Sequence, residues 1–176
     1  MHGPMDHTIP DFSDDLRAAY DAPRDTRGIG DITHLVIHRV GGPGWPDSIE
    51  ELLANEELLD AWMKATGGDR CSPYPFLCES SGRIAAVHRI DRVGKHAGAW
   101  NRQGLALGVL GDFRIHDPSA EAWQASLRWA QWGCEYLSLT ASAVKGHTEL
   151  PNSSRHPRKQ CPGRRFNMDA FRRDLR

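Results

Sequence analysis

Nine histidines and four cysteines in a chain of 176 residues are the side chains from which a reactive centre could be built. His34 and His38 stand four apart. On a helix that spacing would put both imidazoles on one face, as in helical zinc-protease motifs, but that pattern needs Glu directly after the first His. Leu35 stands there instead. Val36 and Ile37, with glycines at 28, 30, 41 and 42 on either side, favour a strand. Four residues of strand span roughly 13 Å, so the two rings cannot share one metal ion. His38 ends the strand and faces the Gly/Pro loop at 41–44, where a sheet hands residues to a cleft. It is the candidate ligand, and His34 is expected to be packed or hydrogen-bonded at the other end.

His147 follows Gly146, and fourteen residues later comes Cys161-Pro162-Gly163. Cys161 lies in a polar, basic loop, whereas a structural cysteine prefers apolar surroundings. Arg158, Lys159 and Arg164 would draw it toward thiolate, the form that binds metal. Two imidazoles and one thiolate leave a tetrahedral zinc site with its fourth position open to water, the layout of a catalytic rather than a structural centre. The other cysteines, Cys71, Cys78 and Cys134, are too few for a disulfide scaffold and form no CxxC pair. They are expected to be small buried side chains, with a Cys71–Cys78 pair left open. His2, His7 and His116 sit in polar stretches and read as surface residues.

The elements that must position these residues follow from periodicity. Residues 33–40 and 105–110 read as buried strands. Residues 48–66 read as one helix, with Ile49, Leu52, Leu53, Leu59, Trp62 and Met63 at helical spacing. Ser48 and Glu51 form its capping box, and Gly67-Gly68 stop it. Residues 74–78 and 83–88 read as short strands joined by a hairpin-like turn at 79–82. Asp117-Pro118 opens a second long helix to about residue 139, with Trp123, Trp129 and Trp132 on its apolar face. Residues 141–146 lead to His147, residues 151–162 form a polar loop, and residues 168–175 a short last helix. The order implies one α/β domain, a central mixed sheet flanked by helices. Residues 1–31 read as an N-terminal arm with one helical turn near 13–20, and residues 32–176 as the domain proper.

The length suits a single hydrophobic core. The longest apolar runs are far too short to span a bilayer. No basic start followed by an apolar stretch opens the chain, so no secretory signal is expected. A net charge of −1 offers no general attraction to nucleic acid. Charge is uneven, however. Residues 1–31 carry seven acids and three bases, residues 47–60 six acids and no base, and residues 155–176 eight bases and two acids. That basic end reads either as a solvated face with helix-end charges or as a contact for an anionic envelope.

Taken in order, several runs resemble one known family. They are His34-Leu35-Val36-Ile37-His38, Tyr74-Pro75-Phe76-Leu77 with Gly82-Arg83-Ile84, His96-Ala97-Gly98 with Asn101, residues 105–111, and Gly146-His147 with Lys159-Gln160-Cys161-Pro162-Gly163. The set is similar to the zinc amidases that include amidase-type phage lysozymes and animal peptidoglycan-recognition proteins, and it covers roughly residues 33–166. The resemblance implies that His38, His147 and Cys161 hold one zinc ion per chain. It implies that Tyr74 faces the water to be activated, that Lys159 steadies the developing oxyanion, and that His96, with Asn101, lines the substrate groove. Cytosolic recycling members carry a catalytic glutamate at the position of Gly108, which sets this chain nearer the tyrosine-using branch. Arg39-Val40 after His38, Pro75 after Tyr74 and the long stretch between His147 and Cys161 depart from the family pattern and bear on substrate preference and loop geometry.

The activity implied is hydrolysis of the amide between N-acetylmuramic acid and L-alanine in peptidoglycan. Zinc-bound water has a pKa near 7 and attacks the carbonyl. The Lys159 ammonium and the Tyr74 hydroxyl assist. A phage-type endolysin, monomeric, held in the host cytoplasm until released to the wall, is the reading preferred. A non-catalytic peptidoglycan-recognition module and a cytosolic wall-recycling amidase are the alternatives. Trp45 and Trp100 flank loops and read either as rim or core residues or as platforms for sugar.

Overall fold

β-branched and leucine side chains between two glycine-rich stretches leave little choice but a buried strand, and residues 34–40 form one. The computed structural model describes residues 9–20, 25–42, 44–66, 72–153 and 160–175. In it β2 (His34–Val40) is flanked on both sides by parallel neighbours, β5 (Gly104–Leu110) and β6 (Val144–Gly146). β3 (Phe76–Cys78) lies parallel to β5 and antiparallel to β4 (Ile84–Ala86), and β1 (Ser13–Asp15) closes the far edge parallel to β4. The six-stranded mixed sheet therefore runs β1-β4-β3-β5-β2-β6.

Alternation along β2 sends Leu35 and Ile37 to one face and Val36, His38 and Val40 to the other. Leu35 and Ile37 are fully buried in the larger core cluster, with Trp129, Phe166 and Phe171. Each such side chain stabilises the fold by about 1.5–3 kcal/mol. That face is covered by α4 (Ala120–Tyr136) and α5 (Met168–Asp174). Ser119 caps α4 by accepting the Ala122 N–H, and Asn167 caps α5 by accepting the Ala170 N–H. On the opposite face Val40, Leu77, Ala85 and Leu110 pack with α2 (Ile49–Ala54) and α3 (Glu56–Thr66) through Ile49, Leu52, Leu53 and Trp62. Gly104, Ala106 and Gly108 of β5 follow the same alternation, so this face keeps a floor of small residues beside His38.

Two expectations change. Residues 48–66 form two helices rather than one, because Asn55 leaves helical geometry and its Oδ1 accepts the Leu58 N–H at 3.0 Å, capping α3. Ser48 does cap α2, accepting the Glu51 N–H at 3.2 Å. The turn expected near residues 13–20 is half strand. Ser13–Asp15 adds to the open edge of β4, Arg83 pairs with Asp14, and only α1 (Arg17–Tyr20) is helical. Part of that arm therefore packs on the sheet. β1 is an edge of the sheet, and Arg27 is buried at 4% exposure. Residues 141–146, read as strand or loop before His147, include the strand β6. Among the described residues no helix is long and apolar enough to cross a membrane.

Candidate metal centre

The end of β2 delivers His38, 1% exposed, onto the floor of small residues. The end of β6, the next strand, delivers His147, which opens a short 3-10 turn directly after Gly146. Gly146 is needed there. A Cβ would stand 2.7 Å from Pro162 Cδ, so only glycine lets the segment after Cys161 approach this strand. The Thr148 N–H and hydroxyl both donate to the Cys161 carbonyl at 3.0 Å and hold that approach. Three residues far apart in sequence thus meet. The ligand atoms of His38, His147 and Cys161 lie within 4.8 Å of one another, all buried.

Their hydrogen bonds decide which atoms face inward. The Gly104 carbonyl can only accept, so the proton of His96 lies on Nε2, 3.2 Å away. With that ring neutral, its Nδ1 accepts from His38 Nε2–H at 2.9 Å. His38 Nδ1 is left basic, and it is the nitrogen that faces Cys161 Sγ at 3.6 Å. The same logic holds at His147, whose Nε2–H donates to the Ser153 carbonyl at 3.0 Å and leaves Nδ1 basic. Ser153 Oγ returns a bond to the His147 carbonyl at 2.7 Å. Cys161 Sγ accepts the Arg39 backbone N–H at 3.3 Å. Two oriented neutral imidazoles and a sulfur stabilised by an N–H donor form a set that fits zinc.

Tyr74 enters from the segment before β3. Its ring centroid is 4.9 Å from that of His38 and 6.0 Å from that of Trp62. Burial, and then the charge of Cys161, push the phenol above its ordinary range, which keeps it a hydrogen-bonding hydroxyl. The Ser72 hydroxyl donates to the Tyr74 carbonyl and accepts its N–H, each at 3.1 Å, and His88 Nε2 donates to the Ser72 carbonyl at 2.7 Å. His88, 1% exposed, belongs to no motif in the sequence. Its place in an apolar strand end was the only signal.

Gly108 sits opposite His38 in the sheet register. A Cβ there would meet Val40 Cγ2 at 2.7 Å and Tyr74 Cδ2 at 2.9 Å, so the Tyr74 ring fills the space that a side chain at this position would need.

His96 was expected in the groove wall. At 8% exposure it stands beside His38, ring edge to face, and orders the candidate ligand. Asn101 also has a structural task, its Oδ1 accepting the N–H groups of His96 at 2.9 Å and Ala97 at 2.6 Å. His34 stays out of the cluster, hydrogen-bonded to Thr33 and edge-on to Trp100. Trp100 donates to the Pro151 carbonyl at 2.7 Å, and Trp45 packs toward Trp62. Lys159 and Cys71 lie outside the described residues, as do His2 and His7. His116 is exposed. Cys78 is a free buried thiol whose pKa burial pushes up to about 12, and Cys134 is free and half-buried. Arg164, expected to favour the Cys161 thiolate, turns away to the Arg114 carbonyl. Of the basic end, Arg172 is paired with Glu149 and Asp169, and Arg165 with Asp117.

Comparison with known proteins agrees with this fold. The stretch matching a curated relative, peptidoglycan-recognition protein 2 of Holotrichia diomphalia, is 24% identical over 127 residues. It covers 70% of this chain and 66%, just under two thirds, of that protein. Among solved structures, the endolysin N-acetylmuramoyl-L-alanine amidase LysCS from Clostridium intestinale superposes with a TM-score of 0.69 at 15% identity, over 92% of this chain and 93% of that one. Peptidoglycan recognition protein LE in complex with tracheal cytotoxin, a monomeric diaminopimelic acid-type peptidoglycan, superposes with a TM-score of 0.68 at 17% identity, over 90% and 91%. These likenesses carry the fold. Residues 28–164, from the turn before β2 through the Cys161 loop, match the family described as N-acetylmuramoyl-L-alanine amidase. With that match over most of its length, the chain belongs to the N-acetylmuramoyl-L-alanine amidase family.

Proposed function

We propose that this chain is a zinc-dependent peptidoglycan hydrolase that cuts the amide between N-acetylmuramic acid and L-alanine, an endolysin lytic toward bacteria. The observation that carries the reading is the convergence of His38, His147 and Cys161 within 4.8 Å, each ring turned with its basic nitrogen available. A trio of protein donors leaves one tetrahedral position for water, which a structural site does not. When bound, zinc would polarise the amide carbonyl and bring the pKa of water to about 7.

The chain's own residues supply the rest. His38 and His147 present neutral nitrogens without first losing a proton, because His96 and Ser153 have already fixed their tautomers. The Arg39 N–H stabilises charge on the Cys161 sulfur. Tyr74, protonated and packed on His38, places a hydroxyl donor beside the reacting water or carbonyl oxygen. The family resemblance gives Lys159 the task of steadying the oxyanion. The small residues Gly104 and Gly108 leave room for the His96 and Tyr74 rings to pack beside His38. The catalytic side chains lie within residues 32–176, with β1 and Arg27 completing the domain around them; the chain would act as a monomer, and the basic C-terminal stretch would assist contact with an anionic envelope.

A recognition module that binds muropeptide without cutting it is the second reading, favoured by the animal relative. The complete trio together with Tyr74 speaks for the enzyme. Purified sacculi incubated with the chain should release new L-alanine amino termini, and activity should vanish with a chelator and return with zinc. Muropeptide binding with no amine released would favour the recognition module. Cleavage of soluble anhydro-muropeptides in preference to sacculi would favour a wall-recycling enzyme.

A further inference from the structure

The N-terminal segment reaches the candidate centre through one buried cation. Arg27 is 4% exposed. Its Nε donates to the Ile90 carbonyl at 3.1 Å, and its Nη1 donates to the carbonyls of Asn101 at 3.0 Å, Arg102 at 2.8 Å and Gly104 at 2.7 Å. A guanidinium withdrawn from water loses much of its solvation, and among the described residues its hydrogen bonds go to carbonyl dipoles rather than to a carboxylate. Burial, with Arg102 next, accordingly draws its pKa down to about 10, while Asp31 and Asp91 oppose that shift from a distance. A plain loop clamp could be made from neutral groups, so the placing of this charge calls for a reason.

The reason lies in the carbonyl it shares. The Gly104 oxygen takes Arg27 Nη1 on one side and His96 Nε2–H on the other. Arg27 also holds the Asn101 backbone, while the Asn101 side chain holds the N–H groups of His96 and Ala97. The guanidinium thus holds the Asn101–Gly104 end of the loop, and the Asn101 side chain ties that end to His96 and Ala97. The loop in turn sets the His96 ring, and the His96 ring sets His38.

We infer that Arg27 is a positioning residue for the candidate metal centre. Through the Gly104 carbonyl and His96 it fixes the orientation and tautomer of His38, so that Nδ1 faces the metal position. The inference rests on the proposed zinc site for its consequence, though the relay itself is a property of the metal-free chain. Such outer partners commonly change metal affinity by about 10–100-fold.

The test compares Arg27→Gln and Arg27→Lys with wild type and with Leu127→Ala, a core truncation in α4 at a residue that makes none of the relay's hydrogen bonds. Zinc affinity is read by competition with a chromophoric chelator. The His38 and His96 tautomers are read by imidazole ¹⁵N NMR in the metal-free and zinc-loaded chain. Expected are zinc binding weakened about tenfold or more in Arg27→Gln, partial recovery in Arg27→Lys, and loss of the single Nε2-protonated tautomer of His38 in the metal-free variant. Leu127→Ala should lower the melting temperature yet keep wild-type zinc affinity and imidazole spectra. Should Arg27→Gln fail to fold, Arg27→Lys is compared with wild type by the same two readouts. Zinc affinity within twofold of wild type with unchanged imidazole signals, or an equal loss in Leu127→Ala, would overturn the inference. A wild-type chain that binds no zinc would overturn the site itself, while the metal-free spectra still report on the relay.

Discussion

His38 and His96 meet edge to face, His38 Nε2 to His96 Nδ1 at 2.9 Å, and this one contact determines which nitrogen of His38 is presented to Cys161. Replacing His96 by Phe keeps the bulk and removes the acceptor. Zinc affinity should fall about 10–100-fold, as for other partners of metal-bound histidines, while the far-ultraviolet circular dichroism stays that of wild type. An unchanged affinity would show that His38 is ordered by something else.

Tyr74→Phe retains the packing on His38 and Trp62 and loses only the hydroxyl. Zinc content should be unchanged, and kcat on sacculi should fall about 100-fold, the low end of what a positioned proton-transfer group contributes. A variant with wild-type kcat would confine Tyr74 to packing.

Gly108→Ala tests the tightness of the floor. The added methyl would meet Val40, Leu77 and the Tyr74 ring at 2.7–3.0 Å. Overpacking of this kind costs about 1–3 kcal/mol, so the melting temperature should drop, and kcat should drop further than the stability loss explains because the Tyr74 ring is displaced. A substitution that is silent in both measurements would mean that the floor is looser than the geometry describes.

Asp112 gives the chain a pH dependence. Hydrogen bonds from the Arg114 side chain and backbone and from the Arg39 side chain hold its carboxyl well below the usual range, against an opposing effect of burial. A depressed folded pKa contributes stability that is fully present above the unfolded pKa of about 3.9 and is lost as pH falls through the folded value. The stability difference between wild type and Asp112→Asn, about 1–3 kcal/mol near neutrality for bonds to a charged group, should therefore narrow below about pH 4. Denaturant unfolding at pH 7 and pH 3 measures it, and a difference that stays constant would contradict the assignment.

Much of the centre is legible in the chain because strand chemistry is local. Val36 and Ile37 between glycines declare a strand, the strand separates His34 from His38, and only one of them can reach a shared metal. Cys161 has polar neighbours in sequence, yet it is buried at 3% exposure, since Gly146 and Thr148 draw it under β6. That burial is tertiary and leaves no periodic signal. The break at Asn55 is a local cap inside a good helical pattern, where apolar spacing continues unchanged across it. β1 went unrecognised because Ser13-Asp14-Asp15 has no strand character of its own and owes its conformation to the edge of β4. The parts of His88, His96 and Arg27 depend on which carbonyls and rings they meet across the fold, and no spacing encodes that.

The central claim is that His38, His147 and Cys161 hold a catalytic zinc ion, and elemental analysis of the purified chain beside Cys161→Ser tests it most directly. The expected result is about one zinc per wild-type chain, as one closed set of three donors requires, with most of the metal and the release of L-alanine amino termini lost in Cys161→Ser. Wild-type protein that takes up no zinc when it is supplied, or a serine variant that keeps both metal and activity, would contradict it.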